Sequence, residues 1–352
     1  MIMTMSLSTV LATAGCASQQ AAKDDDEKIT LTVTISEKEF GDDQIFDRYM
    51  EEHPNIIINE VPVANNDSKL ISMISSGNNA PDLIRVQGFD ELQVFVERGL
   101  MMPLDDYVNK SEAINQDDLY EIAELFRYDG KTRGEGSLYG LPKDWSPIGV
   151  WCNVKAFKEC GLEIPSTTEQ MTWSEFAELA EKLTKWDGTA IERHGVVTAL
   201  ALPTLMEMQL NTYGLSLWDE QYKETTLFEK KTRECMEYWM NLHEKGALAS
   251  ALYPAADTIG QSALVEDQVG MVLAGYWFRG AFSMYNKLDA ASEELIFVPM
   301  PSDEKECSYA MDVTGLGIFA GTKHPEEAYE LWEYLMCSDE VVSTRAKIGL
   351  RV

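Results

Sequence analysis

Residues 29–35 read Ile-Thr-Leu-Thr-Val-Thr-Ile. Leu31, Val33 and Ile35 alternate with Thr30, Thr32 and Thr34, and this period of two predicts a strand with one apolar face. Beyond it, Ile45, Phe46, Tyr49 and Met50 share one helical face, Asp42 or Asp43 suits the cap, and Pro54 ends the helix. Residues 55–63 (NIIINEVPV) read as a second strand. Leu70, Ile71 and Ile74 mark a second helix, opened at Asp67 or Ser68 and stopped at Gly77. Residues 80–86 (APDLIRV) form a third strand, and Leu92, Phe95 and Val96 a further helix ending near Gly99. Strand, helix, strand, helix, strand predicts a parallel sheet covered by helices.

From Tyr139 the pattern changes. Residues 139–153 (YGLPKDWSPIGVWCN) are aromatic and extended. Thr172-Trp173-Ser174-Glu175 has the spacing of a capping box, and Phe176, Leu179, Ala180 and Leu183 follow at helical intervals. Helices are expected around Pro203–Tyr213 and Phe228–Lys245, and strands at Gln268–Gly275, Glu294–Pro299 and Gly315–Ala320. Pro325 suits the first position of a late helix whose Ala328, Leu331, Trp332 and Leu335 face a core.

The chain has 352 residues, enough for two lobes. Its 59 acidic residues against 29 Lys and Arg give a net charge of -30, which repels nucleic-acid phosphates and anionic lipid. No stretch reaches the ~20 apolar residues of a spanning helix. Residues 1–15 carry no charge and end in Thr13-Ala14-Gly15 before Cys16, after which the chain turns polar. Small residues before a cysteine resemble a bacterial lipobox, so residues 1–16 are expected to form a lipoprotein signal peptide with Cys16 as the lipidated residue, and residues 17–28 a tether. No Lys or Arg precedes Cys16, so a start further upstream is expected. Five other cysteines (Cys152, Cys160, Cys235, Cys307, Cys337) cannot all pair within the chain and read as buried small hydrophobes. No metal motif, cofactor loop or catalytic signature stands out, and adjacent carboxylates such as Asp105-Asp106 read as helix caps.

Several segments together resemble the extracellular solute-binding proteins of family 1, the maltose-binding-protein-like group. They are Tyr49–Pro54, Ala80-Pro81-Asp82, Gly99-Leu100-Met101-Met102-Pro103-Leu104-Asp105, Tyr139–Pro142 with Val150–Asn153, Thr172–Phe176, Gly275-Tyr276-Trp277 and His324–Ala328 with Trp332. The resemblance implies a two-lobed α/β fold of the periplasmic-binding-protein type (type II). Each lobe would be a mostly parallel sheet flanked by helices, with crossings near Tyr139, Gly275 and Gly315 between separate sheets. Lobe 1 is expected over 29–140 and 276–310, and lobe 2 over 141–275 and 311–352. The family's chains run on past the late helix, whereas this sequence stops at Val352.

The implied function is that of a monomeric, non-enzymatic, membrane-anchored extracytoplasmic protein. It would close on a sugar and deliver it to the permease subunits of an ABC importer. A sugar presents apolar C–H faces and a ring of hydroxyls, which call for aromatic faces and polar edges. The candidate ligand residues, near strand ends, are Glu37, Gln87, Asp144, Trp145, Tyr276, Trp277, Arg279 and Asp312, with Glu207 and Tyr213 as further contacts. Trp151 and Trp332 read as core. Two other readings stay open here: a surface glycosidase, and a receptor or scaffold that keeps the fold without transport.

Overall fold

The computed structural model describes residues 28–35, 44–62, 67–76, 80–115, 119, 121–198, 200, 202–218, 224–249, 264, 267–279, 294–303 and 311–347. In chain order it opens with β1 (Ile29–Ile35), α1 (Gln44–Glu52), β2 (Ile56–Pro62), α2 (Asp67–Ser76), β3 (Leu83–Gln87), α3 (Gly88–Glu97) and α4 (Asp105–Val108). A 3-10 turn at Glu121–Phe126 leads to the hairpin β4 (Arg127–Tyr128) and β5 (Ser137–Leu138), then to β6 (Leu141–Asn153). Next come α5 (Val154–Glu159), α6 (Trp173–Leu183), β7 (Lys185–Asp187), β8 (Ala190–Thr198), α7 (Leu202–Asn211), α8 (Lys230–Glu244), β9 (Val269–Gly275) and β10 (Leu295–Pro299). β11 (Met311–Ile318), α9 (Pro325–Cys337) and α10 (Asp339–Lys347) follow.

The strands join in the order β2-β1-β3-β11-β6-β9-β8-β7, with β10 also on β6. The first part of β6 pairs with β11, and its last part, from Ile148, with β9 and β10. One long strand therefore serves two groups. In the first, β2, β1, β3 and the start of β6 run one way and β11 the other. In the second, β8, β9 and β10 run together, against β7 and the end of β6. The expected separate sheets are thus hydrogen-bonded into one path through β6. Their cores remain distinct.

The first core gathers Leu31, Val33, Ile45, Phe95, Leu316, Ile318, Leu331 and Trp332. The second gathers Val150, Phe157, Phe176, Val196, Trp239 and Met271. A further cluster of Trp151, Val269, Val272 and Phe278 lies against other residues of the same strands. Along β6, Ile148, Val150 and Cys152 enter one cluster and Trp151 the other, as strand alternation demands. Trp151 and Trp332 are core residues, as expected, and Trp332 Nε1–H donates to the Leu316 carbonyl at 2.7 Å.

The lobe limits differ from those read in the sequence. The sequence reading assigns residues 311–352 to lobe 2, yet β11 and α9 pack in the first core. Residues 276–310 were placed in lobe 1, yet β10 pairs with the second part of β6 and Phe278 packs on Val269 and Val272. The cause is local: β9 reaches the crossing at Gly275 and the chain turns back there, with Arg279 N–H bonded to the Tyr276 carbonyl at 3.0 Å. The crossing expected near Gly275 is therefore not made by the described residues.

The family-like motifs have physical roles. Asp82 accepts from Thr32 N–H at 2.8 Å and Thr322 Oγ1–H at 2.5 Å, tying β1 to the turn after β11. Asp105 accepts from Leu138 N–H at 3.0 Å and Arg127 Nη1–H at 3.1 Å. Thr172 and Glu175 complete the capping box of α6, with Thr172 Oγ1 accepting at 3.1 Å and Glu175 Oε2 at 2.7 Å. That helix lies so close to β8 that a Cβ on Gly195 would stand 1.7 Å from the Ala180 carbonyl oxygen. Backbone cannot yield there as a side-chain tip can. Gly195→Ala should therefore lower the unfolding free energy by about 1–3 kcal/mol, read as a shifted urea midpoint. An unchanged midpoint would contradict this packing.

Cys152 and Cys235 are buried, Cys337 is half-buried and Cys160 is exposed; Cys16 and Cys307 lie outside the described residues. The expectation of buried cysteines thus fails for Cys160, which caps the C-terminal end of α5 and accepts from Arg193 Nη2–H at 3.2 Å. Burial pushes the Cys152 thiol up, and raises Cys235 and Cys337 each to about 11. Since the thiolate is the reactive form, iodoacetamide at pH 8 should label Cys160 in the native protein, and Cys152 and Cys235 only after unfolding. Site-by-site mass spectrometry reads the order; equal rates at Cys152 and Cys160 would refute it.

Candidate functional site

The middle of β6 collects most of the predicted site residues. Thr314 of β11 pairs with Gln87 on one side and Asp144 on the other. The next rungs pair Val313 with Trp145 and Asp312 with Ser146. On the β9 side, Gly275 pairs with Ile148, Tyr276 N–H donates to the Pro147 carbonyl at 2.9 Å, and Trp277 N–H donates to Ser146 Oγ at 3.2 Å. Gln87, Asp144, Trp145, Tyr276, Trp277 and the backbone of Asp312 thus meet where the two strand groups join. Strand ends at such a junction are a usual ligand position in α/β proteins.

The register holds a β-bulge. Pro142 pairs with Gly315 and Asp144 with Thr314, which leaves Lys143 as the extra residue. Neighbouring side chains on a regular strand point to opposite faces. The bulge breaks that alternation and lets Lys143 Nζ bond Asp144 Oδ2. Arg345 Nη2, from α10, approaches the same oxygen at 3.3 Å, and its Nη1–H donates to the Lys143 carbonyl at 2.9 Å. The three side chains are largely or fully buried, at 1%, 14% and 4% exposure for Lys143, Asp144 and Arg345. The adjoining Trp145 is 46% exposed. A large apolar ring in water beside a buried charge cluster is the pairing a polar ligand with apolar faces requires.

Tyr276, also exposed, stacks on buried Trp151 at 5.5 Å and 24°, with Phe297 edge-on at 5.2 Å. Trp151 is held by Nε1–H donation to the Gly275 carbonyl at 3.2 Å. Gly275 is required by contact: a Cβ there would stand 2.3 Å from Trp277 Cδ1 and 2.4 Å from its Nε1. The Trp277 ring folds back over this glycine, half-buried, and its buried Nε1–H has no hydrogen-bond partner among the described residues.

Some predicted side chains are engaged in local contacts or stand apart from the junction. Gln87 is engaged locally, its N–H bonded to Glu91 and its Oε1 accepting from Arg85 Nη1–H at 3.4 Å. Arg279 is exposed beyond the Tyr276 turn. Glu207 accepts from Ser216 Oγ–H at 2.7 Å and Leu217 N–H at 2.6 Å, so it pins the loop after α7. Tyr213 donates to Asp303 at 2.5 Å, and Lys231 Nζ lies 3.6 Å from its ring centroid. Glu37 and Cys16 lie outside the described residues. The sequence reading missed Lys143, Ser146 and Arg345. Only Lys143, beside Asp144, carried a local signal.

The family model for bacterial extracellular solute-binding proteins matches residues 37–336. The chain belongs to that family. Membership implies an extracytoplasmic place and a solute-binding role. Among solved structures, it is similar to an ABC substrate-binding protein from Listeria monocytogenes in complex with cycloalternan, at 19% identity and a TM-score of 0.76 over 92% of this chain and 79% of that one. A solute-binding protein from Agrobacterium vitis with bound D-mannitol gives 18% and 0.74 over 92% and 75%. One from Thermotoga lettingae with α-D-tagatose gives 17% and 0.75 over 92% and 81%. At such identities the likeness speaks for the two-lobed fold alone. A search of curated protein sequences finds no match. Among the described residues no helix is long and apolar enough to cross a membrane.

Ser146 is fully buried and its Oγ receives Trp277 N–H. Ser146→Ala would remove that acceptor, at a cost of about 1–3 kcal/mol for an unsatisfied buried donor. Urea unfolding should show the loss and hydrogen exchange should quicken at the Trp277 amide; wild-type exchange there would count against this role.

Proposed function

We propose that this solute-binding protein takes a carbohydrate at the β6 junction, without turning it over, and hands it to the permease of an ABC importer. The observation that carries the reading is Trp145: an exposed indole beside Asp144, whose carboxylate is held by Lys143 and Arg345. The ring suits a sugar's C–H face and the carboxylate accepts hydroxyl protons. Tyr276 adds a second exposed ring, with the half-buried Trp277 beside it. The ligands of the similar structures, cycloalternan, D-mannitol and α-D-tagatose, differ in size but are all polyhydroxylated.

The ligand would lie between a lobe built on the first core and one built on the second. Contacts to both favour the closed arrangement over the open one. Cys16, lipidated, would anchor the protein at the outer face of the membrane, with residues 17–28 as the tether. Glu37, Gln87, Arg279 and Asp312 remain proposed polar contacts from the sequence.

Thermal-shift screening against a carbohydrate panel tests the reading, because a ligand of the folded form raises the melting temperature. Trp145→Ala and Trp277→Ala should each weaken the best binder by about 1–3 kcal/mol, tenfold or more, in calorimetry. No shift with any sugar, or wild-type affinity in both variants, would remove the carbohydrate assignment.

A further inference from the structure

We infer that Arg345, on α10, is a positioning residue for the proposed sugar site: it fixes the bulge at Lys143 and, through it, the carboxylate of Asp144. The inference rests on the carbohydrate reading and adds to it a residue that acts at one remove from the ligand. A bulged residue stands outside the ladder, so its peptide group needs a partner from elsewhere. Arg345 Nη1–H supplies one to the Lys143 carbonyl at 2.9 Å, while Nη2 reaches Asp144 Oδ2 at 3.3 Å. One planar fork therefore grips the main chain of the bulge and the side chain beside it. Lys143 Nζ bonds the same Asp144 oxygen from its own strand, so two cations from two elements fix the direction of one carboxylate. That carboxylate opens the run of residues containing Trp145, so its direction is also set relative to the exposed ring.

The support beneath Arg345 is firm. Val341 of α10 is fully buried in the first core, Glu340 pairs with Arg48 of α1, and Tyr334 Oη–H donates to Glu340 at 3.4 Å. The helix thus runs as a strut from the first core to the site. A lysine at 345 would keep the charge without the fork, and a methionine would keep only the bulk.

Calorimetry on the full chain with mannobiose, D-mannitol and D-tagatose tests this, carrying forward the sugar that wild type binds most tightly. Arg345→Met should weaken it about tenfold or more, the scale of lost hydrogen bonds to a charged group, and Arg345→Lys should fall between Met and wild type. Asp144→Asn should weaken it too, and in that background Arg345→Met should add less than about twofold, because both act through one carboxylate. Wild-type affinity in Arg345→Met, or a full additional loss in the double variant, overturns the inference while leaving the sugar reading intact. If Arg345→Met loses cooperative urea unfolding, Arg345→Lys decides: a loss supports the role and wild-type affinity refutes it. If wild type binds none of the three, the tightest binder of the carbohydrate panel takes their place; if the panel holds none, the carbohydrate reading fails and this inference falls with it.

Discussion

The structure depends on a constraint of backbone hydrogen bonding at β6. Thirteen residues form one unbroken strand, yet its start is paired with β11 and its end with β9 and β10. A strand buried in two cores must satisfy its amides with different partners along its length. The change of partner falls at Pro147 and Ile148, where β11 gives out and β9 begins. The residues at the change border both groups. That is why Trp145 can be exposed while Ser146, the next residue on the same strand, is fully buried.

The bulge at Lys143 shows how such a junction is tuned. Burying an ammonium, a carboxylate and a guanidinium together adds little stability, since desolvation offsets much of their attraction. What the cluster does provide is direction. On a strand without a bulge, neighbours such as Lys143 and Asp144 would face opposite sides of the sheet. At the bulge Lys143 Nζ bonds Asp144 Oδ2, and Arg345 of α10 reaches the same oxygen.

Much of the fold was legible because local rules held. The alternation in residues 29–35, the capping box at Thr172 and Glu175, and the late helix behind Pro325 all became the elements their patterns required. The lobe limits were not legible. β11 and β10 are short apolar strands, and nothing in Leu-Ile-Phe-Val-Pro or Val-Thr-Gly-Leu-Gly-Ile states which core will cover them. Pairing decides that, and pairing is non-local. The same limit applies to the site. Asp144 and Trp145 could be picked from an aromatic, extended stretch, but the bulge depends on the register with β11. Arg345 sits some two hundred positions from its partner, on a helix whose own pattern gives no reason to select it.

What marks this junction is a conjunction of departures from the rules that hold elsewhere. An orphan polar atom alone carries little: among the described residues Tyr49 Oη, Gln209 Oε1 and Trp239 Nε1 are also buried without partners. An exposed aromatic alone carries little too, since Trp186 and Trp218 are as open to water as Trp145. At the junction the departures coincide: an exposed indole, an indole N–H without a partner among the described residues, a bulge and a buried charge cluster lie on one short run of β6, the turn beside it and α10. Each is unfavourable or neutral for folding by itself. Sequences tolerate such coincidences where function needs them, and on the carbohydrate reading proposed above the exposed ring would meet an apolar sugar face and the fixed carboxylate would meet hydroxyl donors.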